Sequence, residues 1–284
     1  MVVRAAGLSD PPAGYSPPFT AGQFSLNEHY LNARKAAYAG LLDGLRGLGP
    51  GFDFFTPATR GEVAEVLTGD RRYAHVLSVL LDALAAIYPS CDKGPVWYPG
   101  VGGRLNRPFY QTARTLIYYA NVYDLTYDSP EWDLPSCDPA AGTRRTHYEQ
   151  NLLRNGAAYC FGEVTKQKSP ALHNGNCDYL QGALAVGRVL AVAKYIDFVL
   201  ESDLSIFNFI DNTIDRDGQY YETSFSYSLH AVELFSHHAE MLRNFRSPKY
   251  PQGVNLYDLP KLRSNYLRAE RDIDCAGHQP ARPD

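Results

Sequence analysis

From Tyr179 to Leu200 the chain is apolar almost all the way round a helix. Leu180, Ala183, Leu184, Val186, Gly187, Val189, Leu190, Val192, Ala193, Ile196 and Val199 leave no continuous polar stripe. A helix of that kind cannot rest on a surface with one face in water and has to be enclosed by neighbours. Arg188, Lys194 and Asp197 interrupt the run, so it falls short of the roughly 18 uninterrupted apolar residues that suggest a membrane span. The segment therefore predicts an inner helix of a larger helical assembly.

The rest of the chain supplies the enclosing helices. Leu31, Tyr38, Leu41, Leu45 and Leu48 recur at helical spacing and are stopped by Gly49-Pro50-Gly51. Thr59 and Glu62 have the spacing of a capping box opening a short helix toward Leu67. Tyr73, Val76, Leu77, Leu80, Leu81, Leu84 and Ile87 trace another helix, and Pro108 suits the first turn of one running toward Leu125. His147, Leu152, Leu153 and Tyr159 share a further helix. Val199 to Asp215 reads as two short helices end to end, and Pro251 as the end of the helical region. No segment alternates apolar and polar residues over a useful length. The expectation is all-α, with antiparallel helical hairpins across 24–268, a Pro- and Gly-rich lead-in over 1–23 and a polar tail over 269–284.

Charge and cysteine usage exclude several classes. A formal net charge of −4 without a basic stripe argues against nucleic acid. No membrane segment is expected. Met1-Val2-Val3-Arg4-Ala5-Ala6-Gly7 has no apolar core of signal-peptide length. The five cysteines, Cys91, Cys137, Cys160, Cys177 and Cys275, form no Cys-x-x-Cys pair, so no metal and no cofactor is expected. A Cys91–Cys137 disulfide is one open pairing. Cys177 is more simply a small buried hydrophobe than a nucleophile.

Two polar segments stand out against this background. Leu172-His173-Asn174-Gly175-Asn176-Cys177-Asp178 directly precedes or opens the inner helix, with Asn174 or Asn176 suited to its N-cap. Further on, Asp217-Gly218 marks a turn, and Thr223 or Ser224 can cap a helix carrying Val232, Phe235, Ala239 and Leu242. Tyr227 then falls in its first turn, where orphan amides and the helix dipole favour negative charge. That is a suitable place for a phenolic acid or base.

Together these segments resemble the paired signatures of the heparinase II/III-like polysaccharide lyases, toroidal α-helical enzymes related to several alginate lyases. In that family an Asn, often beside a His, starts an inner helix. An Asp-Gly-x-x-x-Glu-x-Ser-x-x-Tyr run follows downstream and carries the catalytic tyrosine. Asp217, Gly218, Glu222, Ser224 and Tyr227 match that run, Asn174 lies 53 residues before Tyr227, and Gly187 falls where the inner helix commonly has Gly. The resemblance covers Ala171 to Leu242. It departs from the family at Ser228, where many relatives have His, with His230 following instead. Relatives usually continue into a β-sandwich domain that supplies another catalytic His, whereas this sequence stops soon after Tyr266. The expectation is that a longer parent chain or a partner supplies that domain. The family is largely periplasmic or secreted.

The resemblance implies an incomplete (α/α) toroid and β-elimination on a uronic-acid-containing polysaccharide, of heparan or heparosan type or alginate. A neutral side chain must share the substrate carboxylate as charge develops at C5. Asn174 is the candidate, with His173 assisting. Tyr227 is the acid, and the base for one substrate configuration. Glu222, His230 and Asn176 are supporting candidates. Trp97, Tyr98, Arg104 and Arg107, in or beside a Gly-rich loop, suit sugar stacking and carboxylate binding, and Arg114 adds charge. Two alternatives share the site: a uronyl C5-epimerase, and a carbohydrate-binding or inactive fragment of a lyase. A hydrolase would need two carboxylates astride the bond; Asp178 and Glu222 are the only pair to propose, with no motif behind them.

Overall fold

The computed structural model describes residues 71–90 and 110–277. Among these residues the structure is helical, and the only extended pairings are two isolated bridges, Pro135 with Thr143 and Ile214 with Tyr220. The fold class is all-α, as the periodicity predicts. The expectations for 31–67 and for the loop with Trp97, Tyr98, Arg104 and Arg107 lie outside the described residues. The chain divides into two compact units between Tyr159 and Cys160.

In the first unit, the spacing from Tyr73 to Ile87 becomes helix α1 (Arg71–Ile87), which buries Ala74, Val76, Leu77, Leu81 and Ala85. Helix α2 (Tyr110–Leu125) buries Ala113, Leu116, Ile117, Ala120 and Tyr123. The helix expected around His147–Tyr159 is helical throughout but not uniform. Helix α3 (Arg144–His147) widens into a π-helical segment (Tyr148–Arg154) and continues as α4 (Asn155–Thr165). Tyr148 in that segment joins a buried aromatic cluster. Trp132 stands edge-on to Tyr123 at 4.8 Å between ring centroids and lies 5.1 Å from Tyr148. Its indole N–H donates to Thr126 Oγ1 at 3.0 Å, so the ring is buried without an orphaned donor. Burial of each such ring contributes on the order of 2 kcal/mol.

In the second unit, the single run expected from Tyr179 to Leu200 proves to be two helices. Helix α5 (Asn174–Val189) ends at Leu190, Ala191 takes φ 52°, and α6 (Ala193–Glu201) folds back against α5. Gly187 makes the close return feasible. A Cβ there would stand 3.1 Å from Tyr195 Cβ and 3.3 Å from the Val192 carbonyl oxygen. Both helices bury apolar faces, so hydrophobic periodicity runs through the break without registering it. Helix α7 (Ile206–Thr213) follows, capped by the Ser205 hydroxyl, which accepts from Asn208 N at 3.3 Å. The end-to-end pair predicted over Val199–Asp215 thus begins earlier, with α6 as its first member.

Helix α8 (Phe225–Arg243) is the one predicted after the Asp-Gly turn. The helical region does not end at Pro251. Pro260 opens a further helix, α9 (Pro260–Gly277), which carries helical structure into the stretch read as a polar tail. Among its described side chains the buried ones are Leu262, Asn265 and Ala269, with Arg263, Glu270 and Arg271 exposed. That thin apolar stripe is why periodicity passed over it.

The arrangement of α5 and α8 sets up everything below. Gln181 Nε2 donates to the Leu234 carbonyl at 2.8 Å, and Arg188 Nε donates to the Met241 carbonyl at 2.8 Å, with 53 residues between partners in both cases. Partners advance together along both helices, so α5 and α8 run parallel in a fixed register. The chain regains its starting level through α6, α7 and the turn before α8. No helix among the described residues is long and apolar enough to cross a membrane.

Candidate active site

The start of α5 is capped by His173 itself, and neither Asn174 nor Asn176 holds that position. His173 has extended backbone, and its Nδ1 accepts from Asn176 N at 3.3 Å. An accepting Nδ1 leaves the ring proton on Nε2. Burial pushes the His173 imidazole below its ordinary proton affinity, although the nearby charges of Glu222 and Asp178 pull the other way. The side chain is thus a neutral imidazole with one N–H to donate. Asn174 is committed in a similar way: its Oδ1 accepts from Gly175 N at 2.9 Å. What Asn174 can offer a ligand is its NH₂ group.

The segment leading to Tyr227 is built by a tight turn. Asp215, just ahead of the Asp217-Gly218 pair, closes the turn: its Oδ1 accepts from Asp217 N and Gln219 N, each at 2.9 Å. Gly218 has φ 84°, and a Cβ there would lie 2.1 Å from the Ser264 carbonyl oxygen. Asn265 Nδ2 donates to the Gly218 carbonyl at 2.8 Å and fastens the turn to α9. The chain then alternates, Tyr220 buried and Tyr221 exposed. The Tyr221 hydroxyl donates to Glu222 Oε1 at 3.1 Å. Thr223 takes φ 54°, a strained conformation for a β-branched residue. Ser224 occupies the N-cap of α8, but its hydroxyl pairs with that of Ser226 and not with a helix amide. Tyr227 follows in the first turn, 45% exposed, with its ring available to a ligand.

Register relates the two segments. His230 Nε2 lies 3.5 Å from Asp178 Oδ2, one turn nearer the helix N-termini than the Gln181–Leu234 contact. Carried back one further turn, the 53-residue offset sets Asn174 level with Tyr227. The spacing between the two sequence motifs is therefore the register of two parallel helices. Donors from His173 and Asn174 and the phenol of Tyr227 belong to the same end of this pair.

Asn176 serves the scaffold. It is buried, its Nδ2 donates to the Ala171 carbonyl at 2.9 Å and to Gln167 Oε1 at 3.2 Å, and its Oδ1 accepts from Gln167 Nε2 at 2.9 Å. It ties down the loop before α5. Cys177 is 1% exposed, and burial raises its thiol well above the ordinary range, which removes it as a nucleophile. Among the described residues Cys137, Cys160 and Cys177 are free thiols, and Cys91, of the open Cys91–Cys137 pairing, lies outside them.

A second polar cluster, in the first unit, escaped the sequence reading. Asp82, Cys137 and His147 bring an oxygen, a sulfur and a nitrogen within 4.8 Å of one another. The Asp82 carboxylate is already occupied there. Its Oδ1 lies 2.7 Å from His147 Nδ1 and accepts from the Ser136 hydroxyl at 2.8 Å; its Oδ2 accepts from Cys137 N at 2.6 Å. The Ser136 hydroxyl also sits 2.9 Å from His147 Nδ1. Burial, with help from Asp82, pushes the Cys137 thiol up to about 11. The cluster is a hydrogen-bonded clasp that fastens the 134–143 loop to α1.

No family model and no curated protein matches the chain. The residue missed by sequence reasoning at this site is Asp178, which from sequence suggests only one half of a hydrolase pair. Its signal was a carboxylate four residues after Asn174, on a helix with almost no polar surface.

Proposed function

We propose that this chain is a polysaccharide lyase that cleaves a uronic-acid-containing polysaccharide, of heparan or heparosan type or alginate, by β-elimination within an incomplete (α/α) toroid. The observation that supports this reading is the shared register of α5 and α8, with two neutral donors and an exposed tyrosine at the same end of the helix pair. The toroid reading is supported by the order of elements: an enclosed helix, a returning helix, then a second helix parallel to the first with α9 packed against it.

The chemistry follows from those groups. A uronate C5–H is weakly acidic because it lies α to a carboxylate, and the carboxylate's own charge opposes carbanion formation. The Asn174 NH₂ and the His173 Nε2–H are donors that can bind that carboxylate and strengthen their hold as charge moves onto it. They do so without reorganising, since their acceptor atoms are already committed to backbone amides. The C5–H bond then breaks, its electron pair forms the C4–C5 double bond, and the C4–O4 bond breaks. Tyr227 protonates O4 as it leaves, and in one substrate configuration the proton it delivers is the one its phenolic oxygen has taken from C5. Glu222 holds the Tyr221 hydroxyl and shapes the approach to α8.

The test is ultraviolet absorbance of the new double bond during incubation with heparosan, heparan sulfate, hyaluronan, chondroitin and alginate. A rise with one polymer, reduced at least ~10²-fold in Tyr227→Phe, is expected for loss of an acid–base group. An equal rise in that variant overturns the role of Tyr227. Deuterium uptake at C5 without absorbance identifies an epimerase instead. A flat trace with no uptake overturns the enzymatic reading.

A further inference from the structure

We propose that Asp178 is a positioning residue of this site, holding the His230 imidazole one turn beyond Tyr227 so that a second proton-carrying group stands beside the phenol. The inference rests on the reading of α5 and α8 as an acid–base site.

Four observations carry it. Asp178 is a carboxylate whose side chain is only 2% exposed, inside the most enclosed helix of the unit. Placing a carboxylate there is costly unless it is paired, so its position demands a purpose that a leucine would not meet. Its Oδ2 lies 3.5 Å from His230 Nε2, while the other imidazole nitrogen lies 3.8 Å from Glu233 Oε2, so the ring is held between a buried and an exposed carboxylate. Asp178 also exerts its charge on His173 and on the buried His238. Finally, Asn174 and Asp178 are four residues apart on α5, and Tyr227 and His230 three apart on α8, so each pair shares one helix face. The row bearing the ligand-facing groups is the row bearing the pair behind them.

Asp178 touches no substrate in this scheme and acts through His230. An imidazole on a helix surface samples several rotamers; one gripped at Nε2 keeps a single orientation next to the phenol. Where Tyr227 acts only as the acid, the imidazole can take the proton lost from C5 and return it to the phenolate after O4 has left, so protons balance over the cycle.

The test is a mutant cycle of Asp178→Asn, His230→Gln and the double variant, read by kcat, KM and the ¹⁵N resonances of the His230 ring. Each single variant should lower kcat about 10-fold or more with KM nearly unchanged, and the double variant should lose no more than either single. The His230 ring resonances should move in Asp178→Asn. Additive kcat losses, or ring resonances identical to wild type, overturn the proposal. The ring signature needs no turnover. If wild type is inactive on every polymer but the signature responds to Asp178→Asn, the lyase reading falls and the Asp178–His230 coupling stands. Should Asp178→Asn not fold, His230→Gln at a partly exposed position still decides: unchanged kcat in it overturns the proposal.

Discussion

His238 on α8 offers a quantitative check on how the parallel pair is held. The ring is 1% exposed, its Nδ1 lies 2.9 Å from the Leu234 carbonyl, and Gln181 Nε2 reaches the same oxygen from α5. Burial lowers the imidazole from 6.5 to about 4; His237 pushes the same way, while the Leu234 carbonyl and the Asp178 charge oppose it. Above pH 6.5 the ring is neutral in both folded and unfolded chains and contributes no pH dependence. As pH falls below 6.5 the unfolded chain takes up a proton that the folded one refuses, so stability declines until the folded ring also titrates near 4. The full loss is about 3 kcal/mol, of which about 2 kcal/mol has gone by pH 5. Urea unfolding of wild type and His238→Gln at pH 7 and pH 5 isolates this contribution, because other titrating groups cancel in the double difference. Wild type should lose about 2 kcal/mol more than the variant over that interval. Equal losses, or a His238 ring proton titrating near its ordinary value, would refute the reasoning.

Two further predictions separate scaffold from chemistry. His173→Ala should cost about 1 kcal/mol through loss of the α5 cap, and His173→Asn should restore that stability without restoring turnover; recovery of both would leave the imidazole no part in the chemistry. Gly218→Ala forces a side chain into a left-handed turn and against the Ser264 carbonyl, so it should destabilise by about 3 kcal/mol or more. A melting temperature within a degree or two of wild type would contradict the described turn.

The all-α class, the enclosed character of α5, the helices near Arg71–Ile87 and Tyr110–Leu125, and the Asp-Gly turn before a tyrosine-bearing helix were all legible from residue order. Each depends on local physics: periodicity, a proline or glycine at a turn, a small polar residue before an apolar run. Tertiary structure decided what periodicity averages away. The fold-back at Leu190–Val192 depends on Tyr195 and the Val192 carbonyl closing over Gly187, a contact no window of sequence contains. Which residue capped α5 also lay beyond local reading, since His, Asn174 and Asn176 were all chemically able, and Asn176 was claimed by Gln167 and Ala171. The deepest difference concerns Asp178. In the sequence it is one carboxylate among many. Only the parallel register of two helices distant in the chain brings it to His230 and gives a buried charge its partner.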